Sequence, residues 1–387
     1  MPAERRAINT TIGFLALLRL VLNTAFRFVY PFLPAISRGL GIPLAQGGFL
    51  VSARWIGTAT TPLAIQFAGG GEARRKTFRI ALGMFISGLV VSVAFGAYWA
   101  ALAGFAMYGL GKSMFDVTVH SYISDRVPYA ERAKKMGYIE LSWGGALLVG
   151  APAAGWLIEK MGWEAPFWVL AVLALVGLAF SGLLLDVDRP LDPEAPRRLK
   201  LHKASVALLA ASALFSLAAE VLFVVFGAWL EDSFSLSLSA LGLSAVVLGI
   251  AELGGEGFTV LVTDRLGKKR SVLGGLTISI VAYSLMGAFA TSQVLGLAMF
   301  AIALFGFEWT IVSSIPLASG MHETGRAKYL ALGVVAMGLA RSLGAAVAPA
   351  LFTAGGLTYP VILAVAADVL AVVVLIAWVE EPDAQSR

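Results

Sequence analysis

The chain predicts an all-α integral membrane protein of twelve transmembrane helices, set out as two pseudo-symmetric six-helix bundles. Three observations lead there. Hydrophobic residues make up 58% of its 387 residues and charged ones 14%, against roughly 45–50% and 25% in soluble domains; its mean hydropathy is +0.83. Twelve continuous apolar segments are each long enough to cross a bilayer, which takes roughly 20 residues. A short motif also recurs at one offset. Arg132-Ala133-Lys134 and Arg326-Ala327-Lys328 lie 194 positions apart, as do Arg74-Arg75-Lys76 and Lys268-Lys269-Arg270, each just past an apolar segment. A register shared across half the chain marks a duplication, and duplicated membrane proteins typically bind a solute between their halves.

The first six spans run over 8–36, 44–69, 78–98, 100–124, 134–158 and 165–185. The second six run over 204–230, 238–263, 271–291, 294–319, 328–354 and 357–379. None alternates in short strands, which excludes a β-barrel. Residues 186–203, rich in proline and mixed charge, form a cytoplasmic linker between an N-terminal bundle (1–185) and a C-terminal bundle (204–387). Two arginines precede a first apolar stretch longer than the core of a signal peptide, so that stretch is read as an uncleaved span.

Basic residues set the orientation. With the N-terminus inside, only Arg38 and Lys160 fall outside, and Arg19, Arg27, Arg54, Lys112 and Arg341 fall within spans; the rest of the 29 Lys and Arg are cytoplasmic. Both termini are therefore expected in the cytoplasm of a cell (inner or plasma) membrane protein. Trp99, Trp156, Trp163, Trp229 and Trp378 lie near span ends, where interfacial anchors belong.

Several function classes are disfavoured. There is no cysteine, and His120, His202 and His322 are scattered, so neither a metal site nor another cofactor is expected. The net charge of +5 resides in loops and is explained by topology, not by nucleic acid. No phosphate-binding loop supports an ATP-driven pump. A membrane-embedded enzyme needs a nucleophile with an oriented base or a metal cluster, and no such spacing occurs. A receptor remains as a further alternative, against which a dozen charges within spans argue.

The loop after the eighth span reads Asp264-Arg265-Leu266-Gly267-Lys268-Lys269-Arg270. Its glycine permits a tight turn, its cations hold the turn at the inner surface, and its acid can latch adjacent helices. In this loop, its place and the twelve-span, two-half plan, the whole chain resembles the major facilitator superfamily, which carries such loops between spans two and three and often eight and nine. The first copy departs from the pattern: Gly70-Gly71-Glu72-Ala73 precedes Arg74, and Glu72 is the only acid that can replace the missing one. In span five, Gly150-Ala151-Pro152 is similar to an antiporter motif of that family, with Gly344 to Pro349 as its counterpart in span eleven. Ordinary helix packing and bending account for the same residues. The resemblance implies gating roles for Glu72, Arg74, Gly150, Pro152, Asp264, Arg265, Gly267 and Pro349. Where related antiporters carry an arginine in span four, this chain has Phe105, four residues before Gly109.

Twelve ionisable groups fall within spans: Arg19, Arg27, Arg54, Lys112, Asp116, Glu140, Glu220, Glu252, Glu256, Glu308, Arg341 and Asp368. Unpaired, they would cost on the order of 30 kcal/mol, more than the usual 5–15 kcal/mol of net stability. Most must pair or face water. Arg19, Asn23 and Arg27 share one helix face with Tyr30 three residues on, and Lys112, Asp116 and His120 share another. Lys112 and Asp116 can close an i,i+4 pair, or Arg27 can take Asp116 bidentately. Glu308, Arg341 and Asp368 fall at similar depth and can form a structural network. First-half spans hold four of the cations, second-half spans five of the acids. The resemblance implies that spans one, four, seven and ten line a central cavity.

Substrate contacts are accordingly expected at Arg19, Asn23, Arg27, Tyr30, Arg54, Lys112, His120 and Trp309, and proton carriers at Asp116, Glu220 and Glu308. The reading is a monomeric secondary active transporter in the lipid bilayer, moving a small organic solute by alternating access in proton-coupled export. The alternative is a facilitator or importer of an organic anion or zwitterion.

Overall fold

Prolines decide where the first, second and fifth spans break. The computed structural model describes residues 2–67, 74–184, 199, 201–322 and 325–380; Glu72 and nearly all of the linker lie outside them. Span one is two helices, α1 (Pro2–Arg27) and α2 (Val29–Gly39). Pro31 has no N–H to offer the Arg27 carbonyl and its ring crowds that oxygen, so the helix yields at Phe28. Span two is likewise divided at Thr60 into α3 (Leu44–Ala59) and α4 (Thr61–Phe67), ahead of Pro62. Continuous spans were expected at both places.

Spans three and four are α5 (Arg74–Ala94) and α6 (Tyr98–Arg126). Span five is α7 (Tyr129–Gly145), a π-helical turn over Ala146–Gly150, and α8 (Ala151–Met161). The wide turn accommodates Pro152, whose ring would otherwise meet the Leu148 carbonyl. Span six is α9 (Ala165–Leu184). The remaining spans are single helices: α10 (Lys203–Phe234), α11 (Leu238–Leu266), α12 (Lys268–Phe289), α13 (Gln293–Gly320), α14 (Arg326–Gly355) and α15 (Thr358–Trp378). The twelve helical spans are all present, and no strand occurs among the described residues. Nine helical segments there are long and apolar enough to cross a membrane. The α6 helix, 29 residues long, carries Lys112, Asp116 and His120 instead of a wholly apolar stretch.

Contacts divide the chain into two units, one comprising Met1–Asp192 with Ser237–Val246, the other Pro193–Leu236 with Val247–Arg387. The duplication is legible in how each is packed. In the first, a Cβ on Gly104 of α6 would come within 2.6 Å of the Gly88 carbonyl oxygen of α5. In the second, a Cβ on Gly306 of α13 would come within 2.7 Å of the Gly275 carbonyl oxygen of α12. Both pairs of spans therefore cross with backbones touching, as small residues permit in membranes. Elsewhere the copies differ. Pro349 lies inside α14 without a π turn, and the Thr353 hydroxyl donates to its carbonyl at 2.8 Å.

Candidate functional site

Within the first unit, α1, α6 and α7 bring five ionisable side chains into one chain of contacts. Arg19 is its centre and is 4% exposed. Its Nε donates to Asp116 Oδ1 at 2.9 Å, while Nη1 donates to Glu140 Oε2 at 2.9 Å and to the Ile139 carbonyl at 3.0 Å. Lys112 Nζ reaches Asp116 Oδ2 at 2.5 Å, closing the expected i,i+4 pair. On the far side, His120 Nε2 lies 2.9 Å from Glu140 Oε1. The run is Lys112, Asp116, Arg19, Glu140, His120.

Its two ends differ in access to water. The Lys112 and Asp116 side chains are 9% and 18% exposed, whereas those of His120 and Glu140 are 40% and 42% exposed. Charge at the closed end is compensated by direct contacts; charge at the open end can exchange with solvent. Removing one partner from the closed end leaves a buried charge with too few counterparts, the arrangement in which such a loss is most costly.

The cation that holds Asp116 from span one is Arg19, not Arg27. Arg27 instead lies over Trp143, 4.5 Å from its ring centroid, and donates to the Trp143 carbonyl at 3.5 Å. Lys112 Nζ is 4.8 Å from the same ring and 5.2 Å from that of Phe26. Arg54 is fully buried, donates to the Phe26 carbonyl, and stacks 3.9 Å from the Phe26 ring and 4.7 Å from that of Tyr30. Three cations thus share the negative faces of a few aromatic rings, each such contact contributing about 0.5–2 kcal/mol. Asn23 donates to Ser142 Oγ at 3.0 Å. Arg19, Asn23, Arg27, Tyr30, Arg54, Lys112, Asp116 and His120 accordingly meet in one region.

Glu140, Trp143 and Phe26 were not singled out as site residues, although Glu140 and Trp143 sit one turn apart on α7 and adjoin this stripe. Phe105, where related antiporters have arginine, is 1% exposed and packs against Tyr108 and Phe167 at 5.0 and 5.9 Å between ring centroids.

In the second unit, Arg341 of α14 donates to Glu220 Oε2 of α10 at 3.2 Å and stands 5.1 Å from the Phe307 ring. Asp368, 2% exposed on α15, does not join that ion pair, so of the network expected among Glu308, Arg341 and Asp368 the last is not a member. Glu308 is 5% exposed beside Gly255. Trp309 is 6% exposed and packed against Gly274 and the Phe258 ring, so its indole fills the space between α11 and α12.

The residues assigned to gating are dispersed. Gly150 faces Thr24 of α1 so closely that a Cβ would collide with it. Pro152 follows the π turn, and Pro349 lies in α14. Asp264 and Arg265 are exposed at the end of α11, and Gly267 takes φ 91°, the tight turn its sequence suggested. Arg74 opens α5. His202 and His322 are not scattered: their rings stack at 6.0 Å, and His322 Nε2 is 2.9 Å from Ser205 Oγ. Tyr329 donates to the Ser205 carbonyl at 2.8 Å, tying the starts of α10 and α14 to the end of α13. Burial, reinforced by His202, holds the His322 pKa below the ordinary 6.5. No cluster of three or more metal-binding side chains occurs among the described residues.

The sequence profile described as Major Facilitator Superfamily matches residues 15–210 and 208–387. An uncharacterised MFS-type transporter of Bacillus subtilis, YbcL, is 23% identical over 288 residues, covering 73% of each chain. The class C tetracycline resistance protein of Escherichia coli is 30% identical over 186 residues, 44% of this chain and 46% of that one. Among solved structures, a D-xylose–proton symporter aligns with a TM-score of 0.76 at 18% identity, over 97% of this chain and 98% of the other. With twelve helical spans in two units and a profile match over nearly its whole length, the chain belongs to the major facilitator superfamily of membrane transporters.

Proposed function

We propose that the protein is a secondary active transporter that exports a small organic solute by alternating access, coupled to protons, from a cell membrane in which both termini face the cytoplasm. The observation that carries this reading is the chain from Lys112 to His120, closed at one end and open at the other. A proton arriving at Glu140 through His120 neutralises one of the two carboxylates that share Arg19. Arg19 then bears more fully on Asp116, and the hold of α1 on α7 weakens. Loss of the proton restores both contacts. A group that exchanges protons on the wet side and changes an inter-helix bond on the dry side is what coupling requires. Glu220 and Glu308 are the corresponding candidates in the second unit.

Trp143 is half-buried and flanked by Arg27 and Lys112, which suits an organic solute with an aromatic or anionic part. The 30%-identical relative is named for resistance to an organic compound, which supports export. A second reading, a facilitator or importer of an organic anion, is favoured by the four cations Arg19, Arg27, Arg54 and Lys112 set against Asp116 and Glu140.

Purified protein in liposomes separates the two. With a panel of organic probes beginning with tetracycline, coupled export predicts probe movement driven by a pH gradient and abolished by a protonophore. Saturable flux indifferent to the gradient would instead establish the facilitator.

A further inference from the structure

One face of α5 carries a basic cluster that stands outside the run from Lys112 to His120. Arg75, Lys76, Arg79 and Ile80 line a cavity of about 500 Å³ at the first turns of this helix. Lys76 and Arg79 are exposed, whereas Thr77, Phe78, Ala81 and Leu82 are buried. Helical spacing therefore segregates the cations to the side away from the neighbours of α5. Deeper along that side, a Cβ on Gly83 would meet nothing within 4 Å, and Ser87 is exposed. Gly83 lies about 10 Å further along the axis than Lys76 at 1.5 Å per residue.

Cations at the helix mouth above an open strip at acyl depth make a footprint for a phospholipid. We propose that Arg75, Lys76 and Arg79 hold the phosphate of an anionic phospholipid of the cytoplasmic leaflet, with an acyl chain running past Ile80 and Gly83. Charge selects the ligand class: the described lining consists of three cations and one isoleucine. The cytoplasmic leaflet is where anionic lipids attract juxtamembrane Lys and Arg, each contributing about a fivefold factor in association. The second unit supplies a built-in comparison. There α12 opens with Lys268-Lys269-Arg270 in the same register, but Leu273 stands where α5 has Arg79.

The site does not depend on transport, so its test reads lipid and not flux. The full chain is placed in vesicles of equimolar phosphatidylcholine and phosphatidylglycerol, and spin-labelled forms of each lipid report which one it retains. Wild type is expected to prefer phosphatidylglycerol. Lys76→Gln with Arg79→Gln is expected to lower that preference about tenfold or more, while Lys76→Arg with Arg79→Lys keeps it. Lys268→Gln with Arg270→Gln serves as the charge control and keeps most of it. An unchanged preference in the Gln pair, or an equal fall in the control, overturns the assignment. Added inorganic phosphate distinguishes the sources of the anion: a labelled lipid that stays bound supports the lipid site, and displacement by millimolar phosphate overturns it in favour of a free anion.

Discussion

Asp116→Asn removes the carboxylate that joins Arg19 to Lys112 while keeping the size of the side chain. In the native protein Asp116 accepts from Arg19 at 2.9 Å and from Lys112 at 2.5 Å. The Arg19 side chain is 5% exposed and that of Lys112 9% exposed, so neither cation can turn to water in place. Removing one partner of a buried pair costs about 3–5 kcal/mol. Arg19 keeps Glu140 and the Ile139 carbonyl, and asparagine still offers one acceptor, which places the loss at the lower end, about 3 kcal/mol. Most of it comes from stranding Lys112. Adding Lys112→Met to Asp116→Asn removes the stranded charge and should recover about 2 kcal/mol, since apolar replacement of a buried pair is near neutral. Equilibrium unfolding of the four proteins of this cycle in mixed micelles measures both quantities. An Asp116→Asn variant as stable as wild type, or a double variant no better than the single one, refutes the argument that this pair is closed from water.

Other perturbations follow from the same geometry. Glu140→Gln, at the open end of the network, should cost only about 1 kcal/mol by the same unfolding assay, although it removes the proposed site of proton entry. Gly104→Val and Gly306→Val each drive a side chain into an opposing backbone, so each should cost about 3 kcal/mol and reduce the monodisperse yield in detergent; tolerance of either would deny the close crossing. Gly150→Ala pushes a methyl into Thr24 and should cost about 1–3 kcal/mol, and a following Thr24→Ala should return most of it. Because His322 has a pKa below 6.5, folding favours its neutral form. Its contribution is therefore present above 6.5 and is lost as the pH falls through the lower folded value. A melting temperature followed from pH 7.5 to 5 should decline, and His322→Gln should flatten that decline; identical slopes would remove the histidine from the clasp.

What the sequence disclosed depended on whether a property was local or relational. Spans are local: a run of apolar residues from 204 to 230 announces α10 whatever surrounds it. The duplication was equally plain from Arg132 and Arg326. The helix breaks were present as Pro31, Pro62 and Pro152, but a strongly apolar window hides a proline whose cost the neighbouring helices can offset. Spacing on a single helix showed that Lys112 reaches Asp116. It gave no way to decide between Arg19 and Arg27 as the partner from span one, because two residues eight apart lie within about 80° and share one broad helix face, so their depth along the axis had to be known as well. Glu140 was recognised as a membrane charge but not joined to His120, since the two stand on different helices and no spacing within one helix relates them. His202 and His322 met only because the starts of α10 and α14 lie beside the end of α13, which no spacing rule within one helix can express. Asp368 stayed outside the Arg341–Glu220 pair for a related reason: similar depth, which had grouped it with Glu308 and Arg341, does not decide which side chains touch.

Proton release measured on the protein itself bears most directly on the claim that the network in the first unit couples protons to transport. A transported probe is added to weakly buffered, purified protein, and the pH change is followed with an indicator dye. Wild type should release protons on binding, Asp116→Asn and Glu140→Gln should lose most of that release while still binding the probe, and Lys268→Gln should behave as wild type. Undiminished release from both carboxylate variants would contradict the account and move the coupling elsewhere in the chain.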